Sequence, residues 1–172
     1  MLKRLTAGLF LVAAISLVSL TCSSPEDDEI AVRRLIKEAA VLAEQHDIGG
    51  IMDLTTEDFQ AGPGKLDRRE VKRILWLAFK HYGDMKVLYP QPSVDLDPGD
   101  DGPSVSTPFL IVKKDQSLPG LGELYDDPKG WVERVGERAD LYRFKLNLVK
   151  ADGRWRVRKA RLERFSGLGF RS

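Results

Sequence analysis

The residues able to do chemistry are few and widely spaced: one thiol, Cys22, two imidazoles, His46 and His81, and four phenols, Tyr82, Tyr89, Tyr125 and Tyr142. Acid–base work needs a carboxylate or imidazole within reach of a second proton-carrying group, and geometry decides before pKa does. By that standard the catalytic candidates are Asp58, His81 and the adjoining Tyr82. Each has a plainer reading. Asp58 precedes Phe59, and alternation along an extended segment would aim its carboxylate at solvent. His46 and His81 each fall near the end of a helical pattern, where histidines commonly cap free carbonyls. No histidine pair has metal-ligand spacing, and a single cysteine permits neither an intramolecular disulfide nor a cysteine-based zinc cluster. No metal and no cofactor is implied.

A second set of residues could line a pocket rather than react. Tyr89, Tyr142 and Trp155 sit at periodic positions of extended segments, and Leu121, Tyr125 and Trp131 fall in a Gly- and Pro-rich stretch over 115–136. A connection of that length in a compact domain tends to be functional or to carry its own short helix. One reading makes Trp131, with Leu118, Leu121 and Leu124, a lid over an apolar cavity. The other makes these side chains a satellite cluster that pins a long loop, with the tyrosines and Trp155 simply core.

The elements that must position these groups are legible from periodicity. Over Arg138–Phe165, Tyr142, Phe144, Leu146 and Leu148 alternate with Arg143, Lys145 and Asn147, which is a strand with one buried face. Asp152-Gly153 turns the chain, and Trp155 and Val157 restart the inward set. The next inward candidates are Ala160 and Leu162, so one extra residue has entered near Arg158 or Lys159. A β-bulge is the usual way to absorb such a slip while bending the sheet.

Upstream, Ser24 and Pro25 open a helix running to about Gln45 on a stripe of Val32, Leu35, Ile36 and Ala39, with Gly49-Gly50 as its stop. An extended piece over Thr55–Ala61 follows. Asp67 and Glu70 then form a capping box, flanked by Leu66 and Val71, for a helix whose inward stripe is Val71, Ile74, Leu75, Ala78, Phe79 and Tyr82. Gly83 ends it. Strands are predicted over Met85–Tyr89, Ser93–Leu96 and Val105–Lys114, with Phe109 and Ile111 on one side.

A formal net charge of +1, 42% hydrophobic and 31% charged residues describe an ordinary globular chain and argue against a dedicated nucleic-acid binder. Basic residues nevertheless crowd the last two strands: Arg143, Lys145, Arg154, Arg156, Arg158, Arg161 and Arg164. Such a face could meet anionic headgroups or an acidic partner, or be a solvated surface that keeps sheet edges from aggregating.

The first residues carry a targeting pattern. Lys3 and Arg4 precede the apolar run Leu5–Leu20, followed by Thr21-Cys22-Ser23-Ser24. Ser19-Leu20-Thr21-Cys22 resembles the lipobox of bacterial lipoprotein signals, although leucine stands one place late and threonine replaces the favoured glycine or alanine. The resemblance implies cleavage before Cys22, its acylation, and membrane anchorage through the N-terminal lipid on the periplasmic face of the cell envelope. Ser23 favours the outer membrane in the enteric sorting rule.

The order of elements resembles the NTF2-like, SnoaL-type fold. The stretches that carry the likeness are AEQHDIGGIMDLTTEDF, LDRREVKRILWLAFKHYG and DLYRFKLNLVKADGRWRVRKARLERF. The resemblance implies an α+β domain, a curved antiparallel β-sheet wrapped around N-terminal helices as a cone with an open mouth. The division that follows is a signal peptide over 1–21, the acylated cysteine and a short tether over 22–29, the NTF2-like domain over 30–166 and a flexible tail over 167–172. Steroid isomerases of this fold carry a base aspartate directly before a proline, and here Gly62 precedes Pro63. The implied function is a non-catalytic ligand-binding or interaction module taking a small apolar ligand. The alternative is a small isomerase or lyase using Asp58 or His81 with a tyrosine of the cone. Homodimer pairing through the open sheet face is a third reading, opposed by the basic side chains there.

Overall fold

The computed structural model describes residues 25–97, 102–114, 126, 135, 139–165 and 170–171. Helix α1 (Pro25–Glu44) and the short α2 (Ile48–Asp53) lead into β1 (Thr55–Gly62), α3 (Arg68–Tyr82), β2 (Met85–Leu88) and β3 (Ser93–Asp95). Strands β4 (Ser104–Lys113), β5 (Ala139–Ala151), β6 (Arg154–Phe165) and β7 (Phe170–Arg171) complete the sheet. Its order is β1-β6-β5-β4-β2, with β3 also on β4 and β7 on β6. The lipobox cysteine Cys22 and the lid residues Leu121, Tyr125 and Trp131 lie outside the described residues, as does the Ser24 cap. Among the described residues no helix is long and apolar enough to cross a membrane.

The helical signals act where the sequence places them, with one change of terminator. Asp67 Oδ1 accepts from the Glu70 amide at 2.8 Å and Glu70 Oε2 from the Asp67 amide at 2.9 Å, so the capping box at α3 is closed. Gly49-Gly50 do not end α1. His46 does so in a left-handed conformation (φ 58°), and both glycines lie inside α2. A Cβ on Gly50 would stand 2.7 Å from Leu42 Cδ2 and 2.8 Å from Asp47 Oδ2, so those side-chain ends would have to shift. In α3, Val71, Leu75, Ala78, Phe79 and Tyr82 turn inward to varying depth, but Ile74 is 48% exposed. It lies at the edge of the inward arc, one helical turn from Ala78 but away from the sheet.

The ribbon of β5 and β6 closes through Asp152 (φ 51°) and Gly153 (φ 72°), both left-handed, between the paired Ala151 and Arg154. That is a two-residue turn of the type that Asp-Gly favours. Along the ladder Leu148 pairs with Val157 and Asn147 with Lys159, which leaves Arg158 as the extra residue. The bulge flips parity downstream, so Ala160, Leu162 and Arg164 share the inner face with Leu146, Phe144 and Tyr142.

Two sheet features go beyond the expected antiparallel meander. β1 runs parallel to β6, with Thr55 opposite Val157 and Ala61 opposite Ala160. Within 167–172, expected as a tail, Phe170 and Arg171 pair with Phe165 and Arg164. Their amides thereby bond an edge that would otherwise be open. The core lies between α1 and the sheet: Val32, Leu35 and Ile36 meet Phe59, Val105, Leu146, Leu148 and Val157. The inner face is apolar there through the rows Val105–Leu146–Ala160 and Leu148–Val157, the latter ending at buried Thr55, whose hydroxyl donates to the Met52 carbonyl at 2.7 Å.

Candidate functional site

Moving along the inner face away from that core, the rows become polar. Val105, Leu146 and Ala160 form the first row, Thr107, Phe144 and Leu162 the second, and Phe109, Tyr142 and Arg164 the third. Ile111 and Asp140 pair beyond them. Cross-strand partners project to the same side, so the register itself gathers a phenol, a guanidinium and a carboxylate at one end of the cone. The aromatics step between the regions. Phe144 and Phe109 stack with ring centroids 4.7 Å apart and 12° between planes, and Phe109 stacks on Tyr142 at 5.6 Å and 26°. These offset contacts fix the ring of Tyr142 from one side.

The other side of the site comes from the last turn of α3. Tyr82 Oη donates to Asp140 Oδ2 at 2.7 Å and lies 2.9 Å from Tyr142 Oη. Arg164 Nη2 donates to the other oxygen, Asp140 Oδ1, at 2.7 Å. Proton positions follow from this arrangement. An ionised carboxylate only accepts, so the single Tyr82 proton is committed to Asp140 and the Tyr82–Tyr142 bond takes the proton of Tyr142. What Tyr142 presents to a ligand is then oxygen lone pairs above a phenylalanine stack. Burial pushes the Tyr82 phenol far above its ordinary 10.0, and the bonds to Tyr142 and Asp140 push the same way. Tyr89, packed against the core, is also raised, by burial first and by the Glu44 charge second.

The sequence candidates fall in different places. Tyr82 and Tyr142 belong to this site. His81 is exposed, its ring edge-on to that of Tyr82 at 5.0 Å. Asp58 is exposed on β1 and accepts from Arg158 Nε at 2.9 Å, outside the cone. His46 bonds the Gly83 carbonyl at 2.9 Å and stacks on Phe79, joining the end of α1 to the cap of α3. Trp155 packs on the core with its indole N–H donating to Asp28 Oδ1 at 3.1 Å. Asp140 was not picked out from sequence, and Arg164 only as one cation of the basic strands. The signal that would have placed Arg164 here is the bulge itself: carried through Arg158, its parity puts Arg164 beside Tyr142. Among the described residues no group of three or more His, Cys, Asp or Glu is arranged to hold a metal ion.

The opposite face of the sheet carries an open groove of about 860 Å³ lined by Gln60, Ser106, Lys145, Asn147, Lys159 and Arg161, among others. The basic strand residues there are substantially neutralised. Buried Glu163 takes both Arg143 (2.8 Å) and Lys145 (3.0 Å). Arg158 pairs with Asp58, while Arg164, on the inner face, pairs with Asp140.

No protein-family model matches the sequence, and no curated protein matches it. Solved structures do match in shape. A protein named as a candidate scytalone dehydratase from Novosphingobium aromaticivorans superposes with a TM-score of 0.59 at 13% identity, covering 82% of this chain and 86% of that one. A protein of unknown function with a cystatin-like fold from Nostoc punctiforme gives 0.58 at 10% identity, with coverages of 80% and 91%. An NTF2-like protein with a cystatin-like fold from Novosphingobium aromaticivorans gives 0.56 at 13% identity, with coverages of 83% and 84%. The chain therefore has the NTF2-like, cystatin-like α+β fold, and the fold alone assigns no activity.

Proposed function

We propose that this protein is exported, cleaved before Cys22, acylated there, and held on the periplasmic face of the cell envelope, at the outer membrane. Its cone acts as a non-catalytic module that binds a small, largely apolar ligand or a partner. Support for export and anchoring comes from Lys3, Arg4, the apolar run to Leu20 and the cysteine that follows it. An acyl anchor contributes about 0.8 kcal/mol per buried methylene, so several chains hold a protein at a membrane without a spanning helix.

The observation that carries the binding reading is the closed set of bonds around Asp140. Both its oxygens are engaged, one by Tyr82 and one by Arg164, and the Tyr82 proton is held tightly. A general base needs a free lone pair facing substrate and a proton it can exchange near neutral pH. This array has instead the character of a rigid recognition surface. A flat apolar ligand would rest on Phe109 and Phe144 and donate one hydrogen bond to Tyr142. Trp131 is proposed as the lid over that ligand.

One observation favours the enzyme reading, an isomerase or lyase: a carboxylate does stand 2.7 Å from a phenol on the inner face. It would need a substrate proton to reach a lone pair of Asp140 that Tyr82 and Arg164 leave open. Native mass spectrometry of the protein taken from its own envelope tests the proposal. A co-purifying small molecule, together with an N-terminal mass showing acylated Cys22, is the expected result. An unmodified Cys22 removes the anchor, and turnover of the bound molecule on incubation removes the non-catalytic assignment.

A further inference from the structure

Of the seven cations that the sequence placed on the sheet, Arg143, Lys145, Arg158 and Arg164 are ion-paired, whereas the outward cations of α3 have no such partner among the described residues. Arg69, Lys72, Arg73 and Lys80 are all exposed, and among the described residues none of them makes an ion pair. At about 100° per residue they fall with position 76 in one arc on a flank of α3, beginning beside Phe79 and turning away from Leu75 and Val71. Position 76 is a tryptophan, 55% exposed, with Lys80 Nζ 5.4 Å from its ring centroid. Leu77 beside it is 54% exposed. The single acid of the helix, Glu70, is tied to the capping box at the N-terminal end. Arg68 points the other way and donates to the Thr56 and Met52 carbonyls.

An exposed tryptophan costs hydration free energy that the fold of the monomer does not recover. Flanked by cations that make no ion pair among the described residues, it matches a surface that is apolar a few ångströms down and anionic at its boundary. An indole suits that depth, since its ring is amphipathic, and lysine and arginine stems reach outward to headgroups. A nucleic-acid backbone would use the cations but gives Leu77 nothing to bury against. We infer that this face of α3, centred on Trp76 with Arg69, Lys72, Arg73 and Lys80, docks on an anionic lipid surface. The inference takes from the proposed envelope location only the membrane itself. The acyl chain would hold the protein near the bilayer, and α3 would set its orientation.

The test uses the full chain reconstituted in vesicles of phosphatidylcholine, with or without phosphatidylglycerol. Brominated lipids quench tryptophan at the interface, and the difference between the wild type and Trp76→Phe isolates Trp76 from Trp131 and Trp155. Trp76 should be quenched when phosphatidylglycerol is present and released by raised salt, as a screened headgroup attraction requires. Lys72→Gln with Arg73→Gln should lower the docked-to-undocked ratio about 30-fold, from about fivefold per cation at an anionic surface. Equal accessibility of Trp76 to aqueous iodide in both vesicle types would overturn the inference, as would quenching indifferent to phosphatidylglycerol. Shielding of Trp76 by duplex nucleic acid but not by these vesicles would overturn it too. The mass of the N-terminus, read on protein from its own envelope, reports separately on acylation, so the docking face can fail while the anchor stands.

Discussion

Tyr82 donates its phenolic proton to Asp140 across 58 residues of sequence, at 2.7 Å. Replacing that phenol by Phe removes a donor from a carboxylate and an acceptor from Tyr142 at once. Tyr82→Phe should cost about 1–3 kcal/mol at neutral pH, measured by urea unfolding. The wild type should also lose stability on the alkaline side. The folded phenol holds its proton more tightly than the unfolded one, so its stabilisation is whole below the ordinary value of 10.0 and is lost as pH rises above it. Tyr89 is shifted the same way, so the variant should keep a shallower slope rather than a flat one. Identical alkaline limbs for the wild type and the variant would show that the contact does not form.

On the outer face, Glu163 lies between Lys145 and Arg143, and the bonds from Lys145 first and Arg143 second hold its carboxyl below the usual 4.5. A depressed folded value stabilises the protein above the unfolded pKa and ceases to do so as pH falls through the folded one. Glu163→Gln should therefore be less stable at neutral pH and show a flatter acid limb than the wild type. Parallel stability–pH curves below neutral would refute the assignment.

The bulge makes a sharper prediction. Arg158 and Asp58 are both more than half exposed, so Arg158→Ala should leave the melting temperature nearly unchanged. Deleting residue 158 should abolish cooperative unfolding. Without the extra residue, Ala160 and Leu162 would turn to the solvent face and Arg161 and Glu163 would turn inward. A deletion variant that folds normally would mean that the bend of the sheet does not depend on this position.

How far the sequence foretold this can be traced residue by residue. The capping box at Asp67 and Glu70 and the slip near Arg158 are local signals with one physical meaning each, and both occur as expected. The parallel pairing of β1 with β6 was not legible, because strand partners distant in sequence leave no mark on either segment. Ile74 was placed inward because a stripe has no sharp edge, and the sheet reaches only part of it. The His46 terminator was masked by the stronger Gly49-Gly50 signal, of which Gly50 lies close against Leu42 inside α2. Asp140 was hidden for a different reason. A lone aspartate at the start of a strand is unremarkable until register sets it beside Tyr82 and Arg164.

As proposed, Tyr82, Asp140 and Tyr142 form a proton-locked recognition surface rather than an acid–base pair. Residue-resolved NMR of isotope-labelled tyrosine across a pH titration reads it directly. Tyr82 is expected to stay protonated well beyond the ordinary phenol value of 10.0. Ionisation of Tyr82 below that value would contradict it, because a phenol that yields its proton so readily is poised for catalysis.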